Sequence, residues 1–249
     1  MNERAYRGAT GLQRRVRAVL WPVARRAWRI EVTGLERVPA DGPAVVCANH
    51  VSFLDSAVLM LLMPRAITFV GKSEYMDSWK TRRLFPAMGM IPIDRGGGER
   101  SEAALAAAER VLRNGGLFGI FPEGTRSRDG MLYRGKTGAA RLAARVGCPI
   151  LPVGIVGTRE IQPPGARAPR LSGTIRVTIG EPVHPGRRAS SRGDGAAQLD
   201  GMELRAVTDE VMFEIMTMTG QPYRNVYAGG PSSPQSAPSV DSGPVAARP

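Results

Sequence analysis

Residues 45–63 read VVCANHVSFLDSAVLMLLM: a short apolar run, a polar turn and a longer apolar run. The valine-rich stretch Val45–Ala48 has the length and composition of a buried strand, and Leu54–Met63 has the length of a helix. A strand that passes through a tight turn into a helix is the repeating unit of α/β proteins. This stretch therefore predicts that class of fold.

The same alternation continues along the chain to about Gly180. Five more strands are expected at Ile67–Gly71, Met90–Ile93, Leu117–Phe121, Ile150–Ile155 and Thr174–Ile179. Further helices are expected at Asp77–Met88, at Ser101–Asn114 with Ser101 as its cap, at Thr137–Val146 and at about Gln198–Thr219. The pattern predicts a single α/β domain with a largely parallel central sheet flanked by helices. In such sheets, ligands bind beyond the strand ends.

Charge and cysteine content restrict the partners and the compartment. The formal net charge of +12 calls for an anionic partner, but 6% aromatic residues and no recognised nucleic-acid module argue against nucleic acid. Cys47 and Cys148 lie in no CxxC motif or Cys/His cluster, so we expect no metal site, no disulfide framework and a reducing compartment. No secretory signal or long apolar run is recognisable. We therefore expect a peripheral protein on the cytoplasmic face of the cell membrane.

Residues 1–30 are interpreted as a separate basic amphipathic helical segment. This segment contains eight arginines and only one acidic residue, Glu3. Apolar side chains recur at helical spacing, and Trp21 and Trp28 are expected on the opposite, arginine-rich face, with Pro22 kinking or dividing the helix. The apolar positions are Leu12, Val16, Val19, Leu20, Val23, Ala27 and Ile30. Such a helix either packs on the domain with a solvated polar face or lies on an anionic membrane, and the tryptophans favour the membrane.

The turn after the first strand carries a histidine and an aspartate, His50 and Asp55. An aspartate one helical turn into the helix can reach back to one imidazole nitrogen and leave the other free to accept a proton. The alternative is a purely structural hydrogen bond. The second histidine, His184, lies between prolines in an expected loop and has no aspartate at the spacing that joins His50 to Asp55.

Three further blocks follow or form expected strands. Gly89–Arg95 reads GMIPIDR, Phe121–Ser127 reads FPEGTRS and Leu151–Ile155 reads LPVGI. An arginine between Thr and Ser hydroxyls at a glycine turn, as at Arg126, suits a phosphate monoester because guanidinium binds it with two hydrogen bonds. Each block alone also has an ordinary structural explanation.

Taken together, these four blocks resemble the glycerolipid acyltransferase family, whose best-known members are the 1-acyl-glycerol-3-phosphate acyltransferases. That family carries N-H-x4-D, G-x-I-P-I-D-R-like, F-P-E-G-T-R-S and V-P-V-G-like blocks, and the likeness here extends over about residues 30–185. The departures are mild, with Val51 where many members have glutamine and Tyr75 where leucine is common.

The resemblance implies direct acyl transfer with His50 as general base and Asp55 as its orienting partner. It also implies that the acceptor is bound by side chains and turns outside this pair, namely Lys72, Arg95, Glu123, Gly124, Thr125 and Arg126. The acyl donor is expected to be a thioester of coenzyme A or acyl carrier protein, which acts as a substrate, so that no cofactor is needed. No G-x-S-x-G nucleophile motif is present.

We therefore expect an acyltransferase that acylates 1-acyl-glycerol 3-phosphate, a lysophospholipid, to phosphatidic acid. Two alternatives stay open: the same chemistry on another lysophospholipid or glycerol 3-phosphate, and a non-catalytic protein that binds anionic membranes. The expected organisation is a membrane-contacting segment (1–30), a catalytic domain (31–225) and a disordered tail rich in Gly, Pro and Ser (226–249).

Overall fold

The computed structural model describes residues 3–72, 89–93, 98–166, 168–186 and 199–229. The helices are α1 (Glu3–Ala27), α2 (Leu54–Leu62), α3 (Gly98–Arg113), α4 (Gly138–Val146), the short α5 (Thr158–Ile161) and α6 (Gly201–Thr219). The strands are β1 (Arg29–Thr33), β2 (Ala44–Ala48), β3 (Ile67–Lys72), β4 (Met90–Ile93), β5 (Leu117–Ile120), β6 (Leu132–Tyr133), β7 (Ile150–Val156), β8 (Thr174–Ile179) and β9 (Tyr223–Arg224).

In this described part of the chain, seven strands form one sheet in the order β1-β8-β7-β2-β5-β3-β4. Every neighbouring pair is parallel except β7 and β8, which run antiparallel. The predicted α/β fold with a mostly parallel sheet is thus confirmed. Because β7, β2 and β5 are adjacent and parallel, their carboxyl ends lie side by side at one edge. The turns that follow these three strands meet there.

Helices cover both faces of the sheet, as the alternation of buried side chains along β2 shows. Val46 and Ala48 belong to the apolar layer beneath α1 and α2. Val45 and Cys47 point the other way, into the layer beneath α3, α4 and α6. A strand buried on both faces is apolar throughout, which explains why this stretch was recognisable in the sequence.

Most of the predicted elements are confirmed, with local differences. Helix α3 begins at Gly98 rather than at the expected cap Ser101. Helix α6 begins after Asp200, whose side chain accepts the amide of Glu203 in a capping box, and it ends at Gly220 in the left-handed conformation. The helix expected at Asp77–Met88 and nearly all of the tail lie outside the described residues.

The first helix differs from its prediction in length and continuity. Helix α1 continues through Pro22 as one element and ends at Ala27, so Pro22 does not divide it. Residues 29–33, partly assigned to the helix from the spacing, form β1, which pairs in parallel with β8 at the sheet edge. Strand β1 was missed because its short half-buried run also fits the end of the apolar helical stripe.

The faces of α1 are also not those expected from the sequence. Trp21 and Trp28 pack against the apolar core, and the Trp28 indole donates to the Arg170 carbonyl at 2.8 Å. Val19 and Val23, expected on the packed face, are 69% and 59% exposed. The expected placement of both tryptophans on the solvent-facing side was therefore wrong.

Polar side chains attach the inner face of α1 to the domain. Gln13 donates to the Ile67 carbonyl at 2.7 Å and is 6% exposed. Arg17 donates to the Met63 carbonyl at 2.5 Å. None of the helices in the described ranges is both long and apolar enough to cross a membrane.

Candidate active site

The turns that follow β2, β5 and β7 converge at the carboxyl edge of the sheet. The first carries His50, the second the 121–127 block and the third Gly157 and Thr158. Backbone contacts join the first two turns, since the Ser127 amide donates to the His50 carbonyl at 2.7 Å. This is the edge at which α/β sheets bind ligands.

His50 and Asp55 are in direct contact. The imidazole Nδ1 lies 2.9 Å from Asp55 Oδ2, and the same oxygen accepts the amides of Val51 and Ser52 at 2.8 Å each. Asp55 is fully buried, whereas the His50 side chain is 17% exposed. Because Asp55 Oδ2 is an acceptor, a neutral His50 in this contact carries its proton on Nδ1 and keeps the Nε2 lone pair available.

Two more residues restrain the turn that holds His50. The side chain of Asn49 accepts the Ile155 amide at 2.8 Å and donates to the Ile155 carbonyl at 2.9 Å, which ties the turn to β7. Phe121 stacks on the imidazole with ring centroids 3.9 Å apart and an interplanar angle of 13°. Both contacts limit the rotation of the His50 side chain and of its backbone.

The carboxylate of Glu123 faces the protein interior. Its Oε1 accepts the His50 amide and its Oε2 accepts the Tyr133 amide, each at 3.0 Å, and the residue is 1% exposed. Desolvation raises the Glu123 pKa to about 7; the two backbone hydrogen bonds oppose this shift, and the charges of Asp55 and Asp129 add to it. In the structure Glu123 supports the His50 backbone, and its direct contact with the acceptor stays a prediction.

The rest of the 121–127 block lies along a cleft. Gly124 has φ +77°, a left-handed conformation that favours glycine in this tight turn, and it lies beside the Lys136 side chain. Thr125 and the exposed Arg126 line the cleft, with Lys136 beside them. This arrangement places two cationic side chains at the entrance.

The cleft in front of His50 has a volume of about 570 Å³ and two chemically different parts. One part is apolar and is lined from both layers of the domain, by Phe69 and Met90 from the layer beneath α1 and α2 and by Val70, Leu105 and Phe118 from the layer beneath α3, α4 and α6. The other part is cationic, lined by Arg126, Arg128, Lys136 and Arg141. Such a cleft suits a molecule with a hydrocarbon chain and an anionic group.

Two of the predicted binding residues cannot be placed in this cleft. Arg95 lies outside the described residues. Lys72 is the last residue of β3, but its side chain is not among those that the structure describes. Phe121 and Thr158 contact the His50–Asp55 pair directly, and Asn49 ties the turn that holds His50 to β7, yet sequence analysis assigned no role to these three residues. Asn49 and Phe121 belong to the sequence blocks described above, whereas the only signal for Thr158 was its position after a strand.

The cysteines are poor candidates for a nucleophile. Burial, with a contribution from the charge of Glu123, raises the pKa of the Cys47 thiol, and burial raises the pKa of Cys148 to about 11. A thiol with a raised pKa holds little of the reactive thiolate near neutral pH. Among the described residues, no group of three or more His, Cys, Asp or Glu side chains could hold a metal ion.

Comparisons with known proteins agree with the motif-based resemblance. The chain is 34% identical over 158 residues to the chloroplastic 1-acyl-sn-glycerol-3-phosphate acyltransferase LPAT1 of Arabidopsis thaliana, a match that covers 63% of this chain and 44% of that protein. It is 30% identical over 132 residues to the 1-acyl-sn-glycerol-3-phosphate acyltransferase of Borreliella burgdorferi, which covers 53% of each. The chain spans about half the length of these curated relatives.

The fold also matches a solved structure. The crystal structure of the 1-acyl-sn-glycerophosphate (LPA) acyltransferase PlsC from Thermotoga maritima aligns with a TM-score of 0.61 and 28% identity, covering 85% of this chain and 78% of that one. Residues 29–156, which include all four sequence blocks up to Ile155, match the family model described as Acyltransferase. The chain belongs to the acyltransferase family.

Proposed function

We propose that this protein transfers a fatty acyl group from an acyl thioester to the sn-2 hydroxyl of 1-acyl-glycerol 3-phosphate and so forms phosphatidic acid. The observation that carries the proposal is the His50–Asp55 contact at the wall of a cleft that is apolar at one part and cationic at another. Relatives named 1-acyl-sn-glycerol-3-phosphate acyltransferases support this choice of acceptor.

The proposed chemistry needs one base and no covalent enzyme intermediate. His50 Nε2 removes the proton of the acceptor hydroxyl while its oxygen attacks the thioester carbonyl. Asp55 stabilises the resulting imidazolium through Nδ1. The carbon–sulfur bond of the tetrahedral intermediate then breaks. The thiolate accepts from His50 the proton that came from the acceptor hydroxyl, and it leaves as a thiol. The donor is a thioester of coenzyme A or of acyl carrier protein.

The cationic part of the cleft binds the acceptor phosphate in this proposal. Arg126 can form two parallel hydrogen bonds to a phosphate, and Lys136 adds a second positive charge nearby. The apolar part of the cleft accommodates the hydrocarbon of the acyl group. No metal or cofactor enters the scheme, because the thioester itself is the activated group.

A thiol-release assay tests the proposed function. Purified protein is incubated with a long-chain thioester of coenzyme A or of acyl carrier protein and, in separate reactions, 1-acyl-glycerol 3-phosphate, 1-acyl-glycerophosphocholine or glycerol 3-phosphate. We expect thiol release to depend on 1-acyl-glycerol 3-phosphate and to be lost in His50→Ala. Preference for another acceptor would move the activity to that lipid, and no release with any acceptor and either carrier would contradict an enzymatic role.

We further propose that α1 holds the protein on an anionic membrane surface, at the cytoplasmic face of the membrane. Its outward face combines exposed aliphatic side chains, Val19, Leu20 and Val23, with the exposed arginines Arg15 and Arg26. Aliphatic side chains enter the interface, and each arginine near an anionic surface adds about 1 kcal/mol. The tryptophans, which pack on the domain, play no part in this contact.

Vesicle flotation tests the membrane contact. The fourfold variant Arg14→Gln, Arg15→Gln, Arg25→Gln and Arg26→Gln should lose binding to anionic vesicles, yet retain turnover of a detergent-dispersed acceptor. A matched control removes four exposed arginines outside α1, at Arg110, Arg113, Arg145 and Arg176. Equal loss of binding in both variants would show that only the total charge matters and would overturn a specific role for α1.

A further inference from the structure

Thr158 reaches the His50–Asp55 pair from a distant part of the chain. Its hydroxyl lies 2.6 Å from Asp55 Oδ1, and both residues are fully buried. Thr158 follows β7 as the first residue of the short helix α5, so 103 positions separate it from Asp55 along the sequence. A buried hydroxyl this close to a carboxylate donates its proton to it.

The backbone fixes Thr158 at this place. Gly157 has φ +97°, and a Cβ there would lie 2.0 Å from the Thr174 carbonyl oxygen, so the chain passes close to β8 where only glycine fits. The Gln162 amide then donates to the Thr158 carbonyl at 2.9 Å. The threonine is thus presented to Asp55 by a turn with little freedom.

The two oxygens of Asp55 have different partners. Oδ2 accepts His50 and two backbone amides, whereas Thr158 is the donor to Oδ1 among the described residues. A carboxylate held at both oxygens cannot rotate about its Cβ–Cγ bond. Without the hydroxyl, Oδ1 would be a buried charged atom lacking that donor, and the carboxylate could turn away from the imidazole to find another.

We infer that Thr158 is a positioning residue: its hydroxyl locks the Asp55 carboxylate so that Oδ2 holds His50 in the Nδ1–H tautomer. This inference rests on the proposed role of His50 as the base. It extends the pair to a chain of three side chains, in which Thr158 acts on Asp55 and Asp55 acts on His50. Asn49, whose side chain bonds to Ile155, gives the same two segments a second connection.

The test compares Thr158→Val, which removes the hydroxyl at nearly constant volume, with Thr158→Ser, which restores it. We expect Thr158→Val to lower kcat about tenfold or more, because hydrogen bonds to charged groups are strong, with little change in either KM. Thr158→Ser should recover most of the rate. Thr208→Val is the matched control, since Thr208 is also buried but bonds to the Leu204 carbonyl within α6.

A spectroscopic measurement separates positioning from a general structural effect. The chain has two histidines, so ¹⁵N NMR of the imidazoles shows His50 beside the exposed His184 as an internal reference. The neutral His50 ring should be the Nδ1–H tautomer in the wild type and in Thr158→Ser, and should shift towards Nε2–H in Thr158→Val. If Thr158→Val does not fold, Thr158→Ala provides the same comparison.

The possible outcomes distinguish this inference from the proposed function. Wild-type kcat and an unchanged tautomer in Thr158→Val would overturn the inference while leaving His50 as the base. Equal losses in Thr158→Val and Thr208→Val, with an unchanged tautomer, would also overturn it. An inactive wild type with the expected tautomer change would instead support the hydrogen-bond chain and contradict the proposed acyl transfer.

Discussion

The polar side chains on the two sides of His50 differ in how far they are exposed. Behind the imidazole, Asn49, Asp55, Glu123 and Thr158 are at most 1% exposed, and each forms hydrogen bonds. In front of it, three of the cationic side chains that line the cleft, Arg126, Arg128 and Lys136, are exposed. Buried, bonded groups keep one geometry before substrate arrives, whereas exposed side chains can rearrange to meet a ligand. We therefore expect changes behind His50 to act on kcat or stability and changes in front to act on KM.

The largest expected effect comes from removing the base itself. His50→Ala should lower kcat by about 10²–10⁴-fold, the usual contribution of a positioned general base. Asp55→Asn should also be severely impaired, because an amide cannot replace the carboxylate that stabilises the imidazolium. Circular dichroism and thermal unfolding must show that both variants are folded. A near-normal rate in folded His50→Ala would rule out the proposed mechanism.

Glu123 gives a second test behind His50, through the pH dependence of stability. Its pKa of about 7 in the fold, against an ordinary value of 4.5, means that the native state binds the proton more tightly. Stability from this group is therefore present at low pH and lost as pH rises to about 7. Urea unfolding at about pH 5 and about pH 8 should show that wild type loses roughly 2–3 kcal/mol more than Glu123→Gln over this interval.

The same variant separates the two roles considered for Glu123. If it supports the His50 backbone, Glu123→Gln should lower kcat while the acceptor KM changes little, because the buried carboxylate does not line the cleft. A raised acceptor KM with an unchanged kcat would restore the direct binding role that the motif resemblance implied. An equal pH dependence in the two proteins would show that Glu123 is ionised throughout this pH range.

The sequence revealed the strand–turn–helix unit and its reactive pair because both are local. His50 and Asp55 lie five positions apart, and buried strands are recognisable from short apolar runs. The partners from β5 and β7 were missed because their contacts depend on strand order. Thr158 contacts Asp55 because β7 lies beside β2 in the sheet. No local sequence pattern predicts which strands are neighbours.

The first helix shows a different reason for failure. Its buried stripe contains Gln13, Arg17, Trp21 and Ala24, which lie at helical spacing but are not uniformly apolar. The polar ends of Gln13 and Arg17 bond to backbone carbonyls, so their burial is compensated. Hydrophobic periodicity instead selected the stripe that includes Val19 and Val23, which the structure leaves exposed. Sequence patterns cannot identify a packed face that is held by polar side chains.

In front of His50, replacing Arg126 should affect substrate binding. Arg126→Ala should raise the acceptor KM about tenfold or more, because hydrogen bonds between charged groups contribute roughly 1.5–3 kcal/mol. The thioester KM should change less. From the motif resemblance alone, Arg95→Ala is expected to have the same effect. The control is Arg110→Ala, at an exposed position of α3. A loss confined to the thioester KM would assign Arg126 to the donor instead.

The smallest effect is expected where a reactive group lies buried but outside the proposed chemistry. Cys47 lies in β2, two residues before Asn49, and is fully buried. Cys148 is also buried, and the thiol pKa of both cysteines is raised. A double Cys47→Ala, Cys148→Ala variant avoids burying an unsatisfied hydroxyl and should keep the wild-type kcat if it folds. Mass spectrometry of wild-type protein quenched during turnover should find no acyl-protein. A trapped thioester on either cysteine, or loss of turnover in the folded double variant, would replace direct transfer by a two-step mechanism and reduce His50 to an activator of the thiol.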